Sequence, residues 1–138
     1  MRIVLDTSAL MSLAAGDVLD LAIESMDCIV PERVRAEIQG LSKNNDFEGN
    51  LAKRILDLFG NGIEILTSYK TSIEGEIECA YLANELDDVE FLITDDTLAL
   101  ESLEKTCRKS IRFSPMILYA LCLKNKLTKK QALQSLEQ

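Results

Sequence analysis

Two acidic positions follow strand-like apolar runs, and their spacing suits chemistry at one end of a sheet. Asp6 follows Arg2-Ile3-Val4-Leu5, and the pair Asp95-Asp96 follows Phe91-Leu92-Ile93-Thr94. Each run has the length and composition of a buried strand, and each ends in a carboxylate beside small polar residues. In open α/β sheets, ligands bind beyond the carboxyl ends of the strands. If the two strands are neighbours, several negative charges share one small volume, which is costly unless a cation or a proton neutralises it. The pattern predicts a site for a divalent metal.

Two further acids sit on helical segments. At about 100° per residue, Val34, Ile38 and Leu41 form one apolar stripe, and Glu37 lies beside it. Glu37 is placed to reach over the end of the sheet, although a border salt bridge to Arg33 or Arg35 suits it equally. Glu76 shares a face with Cys79, Ala80 and Ala83, within about 60°. Small residues beneath it let the helix approach the sheet, and a carboxylate there is expensive to bury unless paired. Glu78 and Glu85 are expected on the opposite, polar side. Asp6 alone suits an N-cap just as well. Of the adjacent pair, Asp96 is expected to face inward with Asp95 as its partner, and either one suits a cap for the helix near Leu98. Thr7, Ser8 and Thr94 can orient these carboxylates or meet a phosphate.

Asp6, Glu76, Asp96 and Asp95 are thus candidate ligands for Mg2+ or Mn2+, hard ions that prefer oxygen. Ions held this way activate water and stabilise in-line phosphoryl displacement. The chain has no histidine, which excludes imidazole as acid, base or zinc ligand. Its four cysteines, Cys28, Cys79, Cys107 and Cys122, form no CxxC pair, which argues against a zinc ribbon or redox motif. They read as small hydrophobes in a reducing cytoplasm. Asp6 interrupts the first apolar run, so no signal peptide is evident, and no apolar run is long enough to span a membrane. The net charge of −8 argues against indiscriminate DNA coating.

The 138 residues suit one compact domain, 1–138, and 47% hydrophobic content is ample for a core. With only 5% aromatic residues, aliphatic side chains must fill that core. Strands are expected at 2–5, 28–30, 63–66, 90–94 and 111–113. Helices are expected at 9–15, 18–24, 31–41, 47–59, 76–86, 98–107, 114–124 and from 129 onward. Thr128 with Gln131 forms a capping box. The alternation predicts an α/β fold, a three-layer α/β/α with a mainly parallel sheet of four to five strands.

The chain resembles PIN-domain ribonucleases, including VapC-like toxins of toxin–antitoxin pairs and related archaeal PIN proteins. Four motifs carry the resemblance: residues 4–10 (VLDTSAL), 30–38 (VPERVRAEI), 75–83 (GEIECAYLA) and 92–96 (LITDD). Their order and spacing match across nearly the whole chain. The resemblance implies a PIN-like fold and metal-dependent endoribonuclease activity, with Asp6, Glu37, Glu76 and Asp96 in the acidic catalytic roles. Many members have aspartate where this chain has Glu76. The resemblance also implies an RNA substrate, a homodimer and, for a toxin, an antitoxin protein received near residues 10–21. A non-catalytic PIN-like module binding RNA or protein is the competing reading. A response regulator would want an acid pair at the first strand, and a haloacid-dehalogenase-type phosphatase would want aspartate where Ser8 stands.

A nuclease needs cations to meet phosphates. Lys105, Arg108, Lys109 and Arg112 form one basic group, and Lys124, Lys126, Lys129 and Lys130 a second that reads as a solvated rim. Tyr69, Tyr81 and Tyr119 offer stacking surfaces, with Tyr119 better suited to a packing helix. Residues 116–123 are apolar nearly all round, so burial in the core or an oligomer interface is expected.

Overall fold

The apolar run after Met1 forms β1 (Arg2–Leu5), the middle strand of a five-stranded sheet. The computed structural model describes residues 1–137. After β1 come α1 (Thr7–Ala15), α2 (Leu19–Ser25), β2 (Asp27–Pro31), α3 (Glu32–Leu41) and α4 (Phe47–Leu56). Then follow β3 (Ile63–Leu66), α5 (Gly75–Glu85), β4 (Val89–Ile93), α6 (Leu100–Thr106), β5 (Ser110–Arg112), α7 (Pro115–Leu123) and α8 (Lys129–Leu136). Every strand pairing is parallel, and the order is β3-β2-β1-β4-β5.

Parallel strands covered on both faces read as continuous apolar runs. Ile3, Val4 and Leu5 of β1 and Leu92 and Ile93 of β4 are fully buried accordingly. On one face α5 lies across β1, β2 and β4, with α6 beside it. On the other, α1 packs on α2 and α4, α2 packs on α7, and α8 lies on α7. The fold is therefore the three-layer α/β/α arrangement that the alternation predicts, with an all-parallel sheet. α3 touches both α4 and α5, so it links the two helical layers at the edge of the sheet.

The strand order decides where a ligand can enter. The chain leaves β1 toward β2 on one side and leaves β4 toward β5 on the other. The switch point is therefore the crevice between the carboxyl ends of β1 and β4. Asp6 follows one of those ends, and Thr94, Asp95 and Asp96 follow the other.

Local signals hold closely at most helix ends. Thr128 and Gln131 form the reciprocal capping box, and Pro115 opens α7. α4 stops at Leu56, before the expected end at 59, because Phe59 instead bridges to Ile63. Gly62 closes the turn with φ of 123°, and a Cβ there would overlap Ile23 Cγ2.

Two apolar segments singled out in the sequence divide between core and surface. Within residues 116–123, Ile117, Leu118, Ala120 and Leu121 are buried, whereas Tyr119 and Leu123 are each 65% exposed. The helix sets one face on the core, and Tyr119 lies on its open face. Near residues 10–21, Leu10, Leu13, Val18 and Leu19 are consumed by the core. Only Met11, Ala15 and Leu21 among the apolar residues there remain partly accessible. Among the described residues no helix is long and apolar enough to cross a membrane.

Candidate metal centre

Asp6 is built into the start of α1. It is the N-cap, and its Oδ1 accepts from Ala9 N at 2.9 Å and from Ser8 Oγ at 2.8 Å. Its Oδ2 accepts a hydrogen bond from Thr94 Oγ1. The capping role and the site role are therefore filled by one carboxylate. Asp6 is only 3% exposed. Burial pushes its carboxyl up to about 6, with the Asp95 charge adding to the rise, while the bonds from Thr94, Ala9 and Ser8 oppose it.

Thr94 ends up as a junction between the two strand ends. Its hydroxyl accepts from Asp96 N at 3.1 Å, so its own proton is committed to Asp6. Ser8 does the same on the other side, accepting from Asp95 N at 2.9 Å while donating to Asp6. Thr94 is fully buried. Thr94→Val keeps the shape but strands Asp6 Oδ2 and Asp96 N in a buried place. The expected loss is about 1–3 kcal/mol in urea unfolding, with Thr94→Ser within about 1 kcal/mol of wild type. A Thr94→Val variant as stable as wild type overturns this account.

Glu37 reaches the crevice from α3. Its Oε1 accepts from Thr7 Oγ1 at 2.6 Å, which ties α3 to the first turn of α1. The carboxylate lies against Gly75, the first residue of α5, where a Cβ would overlap Oε1 and come within 2.8 Å of Cδ. Glycine is thus a space requirement of Glu37. The next residue, Glu76, is half-buried. That burial, then the charges of Glu74, Glu37 and Asp96, holds its carboxyl above the usual range, against its own backbone N–H. Beneath these acids the wholly buried Cys79 thiol is pushed well up, first by burial and then by Asp6, Glu37, Glu76 and Glu78.

The adjacent aspartates separate. Asp96 Oδ1 accepts from Leu98 N at 3.0 Å and Ala99 N at 3.3 Å, closing the turn before α6, and its charge is felt at Glu76. Asp95 turns the other way, and its Oδ1 accepts from Ser114 N at 2.7 Å at the start of α7. Asp96 acts on Glu76, whereas Asp95, whose charge acts on Asp6, joins the β5–α7 junction to the site.

Asp6, Glu37 and Asp96 are therefore anchored while keeping capacity for a ligand, and Glu76 meets only its own backbone N–H. Glu37 and Asp96 are each held through one oxygen, and among the described residues no hydrogen bond engages the other. Asp6 Oδ2 accepts only from Thr94 and keeps one lone pair. This all-oxygen donor set suits Mg2+ or Mn2+. Among the described residues no three Asp, Glu or Cys side chains are already arranged around a single point.

Two expectations from the sequence are corrected. Glu78 is not on a solvent side, being 5% exposed. Its Oε2 accepts from Arg33 N at 2.9 Å and its Oε1 from Ser72 N at 3.1 Å. Glu85 is similarly engaged by Ser68 Oγ at 3.0 Å and Tyr69 N at 2.8 Å. The segment after β3 folds back over this face of α5, which periodicity alone does not reveal. One signal was present: Pro31 precedes α3 with no side-chain acceptor, so the helix needed a cap from elsewhere.

The first basic group is also scattered. Arg108 N donates to Asn84 Oδ1 at 2.7 Å, and Lys109 Nζ donates to Asp87 O at 3.2 Å. Asn84 and Asp87 lead into the amino end of β4, the far end of the sheet from the acids. Lys105 pairs with Glu101 at 3.3 Å on α6. Of the four, only Arg112 lies at a carboxyl strand end, stacked 5.3 Å from the Phe91 ring. Tyr69 is exposed, and Tyr81 lies under Lys70 Nζ at 5.7 Å.

Comparison of the chain with family models, curated proteins and solved structures finds no match in any of the three.

Proposed function

We propose that this chain is a metal-dependent endoribonuclease of the PIN type, acting through Asp6, Glu37, Glu76 and Asp96. One observation supports the reading: Asp6, Glu37, Glu76 and Asp96 gather around the switch point of a parallel sheet, three of them held by hydrogen bonds that leave a lone pair free. Such a cluster in one crevice repels itself, and a divalent cation relieves the repulsion. Asp6, Glu76 and Asp96 would hold the ion, with Glu37 beside them. When bound, Mg2+ or Mn2+ supplies an activated water and charge stabilisation for phosphodiester hydrolysis.

The protein's own contribution is positional. Thr94 and Ser8 fix the orientation of Asp6, Thr7 fixes Glu37, and the turn at Leu98–Ala99 fixes Asp96. The choice of RNA rests on the motif resemblance, as do the homodimer and the antitoxin-paired role. The net charge of −8 makes phosphate approach unfavourable over most of the surface, so affinity for RNA should be weak and salt-sensitive.

The test is cleavage of varied single-stranded and structured RNAs with Mg2+, Mn2+ or EDTA. Wild type should cleave only with metal, and Glu76→Gln should lower the rate at least about tenfold, the effect of removing a group that acts in the transition state. Absence of metal binding and of metal-dependent cleavage in a folded wild type favours the non-catalytic module instead.

A further inference from the structure

Glu78 lies two residues beyond Glu76 on α5, so it projects about 200° around the helix from it. It is only 5% exposed, a place where a carboxylate is tolerated only when fully bonded. Both oxygens are used, Oε2 by Arg33 N at 2.9 Å and Oε1 by Ser72 N at 3.1 Å. Arg33 Nε in turn donates to Ser72 O at 3.2 Å, closing a triangle between α5, α3 and the segment after β3.

Arg33 is in the first turn of α3, where the backbone N–H groups lack intrahelical partners. The N-cap there, Pro31, makes no side-chain bond. Glu78 supplies that acceptor from a different helix, and a negative charge at a helix start is favoured by the dipole. One turn further along α3 is Glu37, whose carboxylate lies against Gly75 at the start of α5. The two helices therefore meet twice. The bond from Glu78 to Arg33 sets how α3 sits along α5, and that setting decides where Glu37 arrives beside Glu76.

We infer that Glu78 is a positioning residue: by capping α3 from α5 it holds Glu37 in the carboxylate cluster. The inference rests on the metal-site reading above. It places Glu78 outside the ligand set, since its carboxylate turns to Arg33 N and Ser72 N, about 200° around α5 from Glu76.

The experiment is Mn2+ titration by calorimetry, alongside RNA cleavage, on the full chain. The variants are Glu78→Gln, Glu37→Gln, the double variant, and Glu85→Gln as a control. Glu85 holds the same segment from the same helix, and among the described residues no hydrogen bond joins it to α3. Glu78→Gln should weaken Mn2+ binding about tenfold and lower kcat about tenfold with KM within about twofold, because one displaced group disturbs reaction geometry more than binding of the chain. Glu85→Gln should change neither by more than about twofold. The double variant should be no worse than Glu37→Gln alone, because residues that act through one another are not additive. If Glu78→Gln does not fold, Glu78→Asp keeps the charge with a shorter reach and should show the same non-additivity. Unchanged Mn2+ affinity in folded Glu78→Gln, or full additivity with Glu37→Gln, overturns the inference alone. A wild type that binds no Mn2+ overturns the metal reading beneath it.

Discussion

Asp6→Asn is expected to abolish cleavage, by about 10³-fold or more, while raising the melting temperature of the metal-free protein at pH 7.5. Removing a group that meets transition-state charge has effects of at least this order. The stability effect follows from burial. The Asp6 carboxyl is pushed up to about 6 from an ordinary 3.8. Because the folded value lies above the unfolded one, the folded protein binds more protons between those values. The stability contributed by a protonated Asp6 is fully present below about pH 4 and is lost as pH rises through about 6. A shift of that size corresponds to about 3 kcal/mol at most.

The neutral amide escapes this loss and keeps the hydrogen bonds. Its oxygen can still accept from Ala9 N and Ser8 Oγ, and its NH2 faces Thr94 Oγ1. The Thr94 proton can then turn to Ser8 Oγ, 3.4 Å away. In thermal melts without metal, wild type should lose stability from pH 5 to 7.5 relative to the variant. The gap should reach about 6–12 °C at most, at about 2–4 °C per kcal/mol for a domain near this size. Mg2+ should close the gap by stabilising wild type alone, since only a bound ligand shifts the melt. A variant that melts below wild type at pH 7.5 without metal contradicts the argument.

Gly75→Ala should leave the protein folded and cost it about 100-fold in cleavage rate. Helix interiors favour alanine over glycine by about 1 kcal/mol, and Gly75 begins α5, so stability alone gives no reason to avoid the change. The obstacle is Glu37. An added Cβ overlaps its Oε1, and the atom that must yield is the end of a flexible side chain. The carboxylate can swing away without unfolding anything, but it then leaves Thr7 Oγ1 and its place beside Glu76. A displacement of about 1 Å in a catalytic constellation costs about 10² in rate. The check is a melt within a few degrees of wild type together with a single-turnover rate. Wild-type activity in Gly75→Ala would falsify the role given to this glycine.

Much of the site was legible because its members are tied to local pattern. Asp6 and Asp96 follow apolar runs that form buried strands, and Glu76 is marked by the small residues Cys79, Ala80 and Ala83 on its face, all buried. Thr94 and Ser8 sit next to the acids in sequence and bond to them in space. Glu78 was misread for a definite reason. Helical periodicity reports which face a residue occupies, and the cover for that face came from the start of α3, 45 residues away, together with the segment just before α5. The first basic group misled similarly, since closeness in sequence across the end of α6 and the start of β5 became separation between the two ends of the sheet.

By itself the sequence determined the elements and the mainly parallel α/β class, and it marked the acids at the strand ends and helix starts as candidates. Strand runs, caps and small-residue faces are short-range consequences of side-chain type. Only the tertiary structure decided that β1 and β4 are neighbours, which makes their carboxyl ends one crevice. Only it decided that Asp96 rather than Asp95 faces Glu76, that Gly75 yields its space to Glu37, and that Glu78 caps α3. Each of these depends on which distant segments pack together, and one pattern of alternating strands and helices is compatible with several strand orders. Packing of the whole chain selects among them.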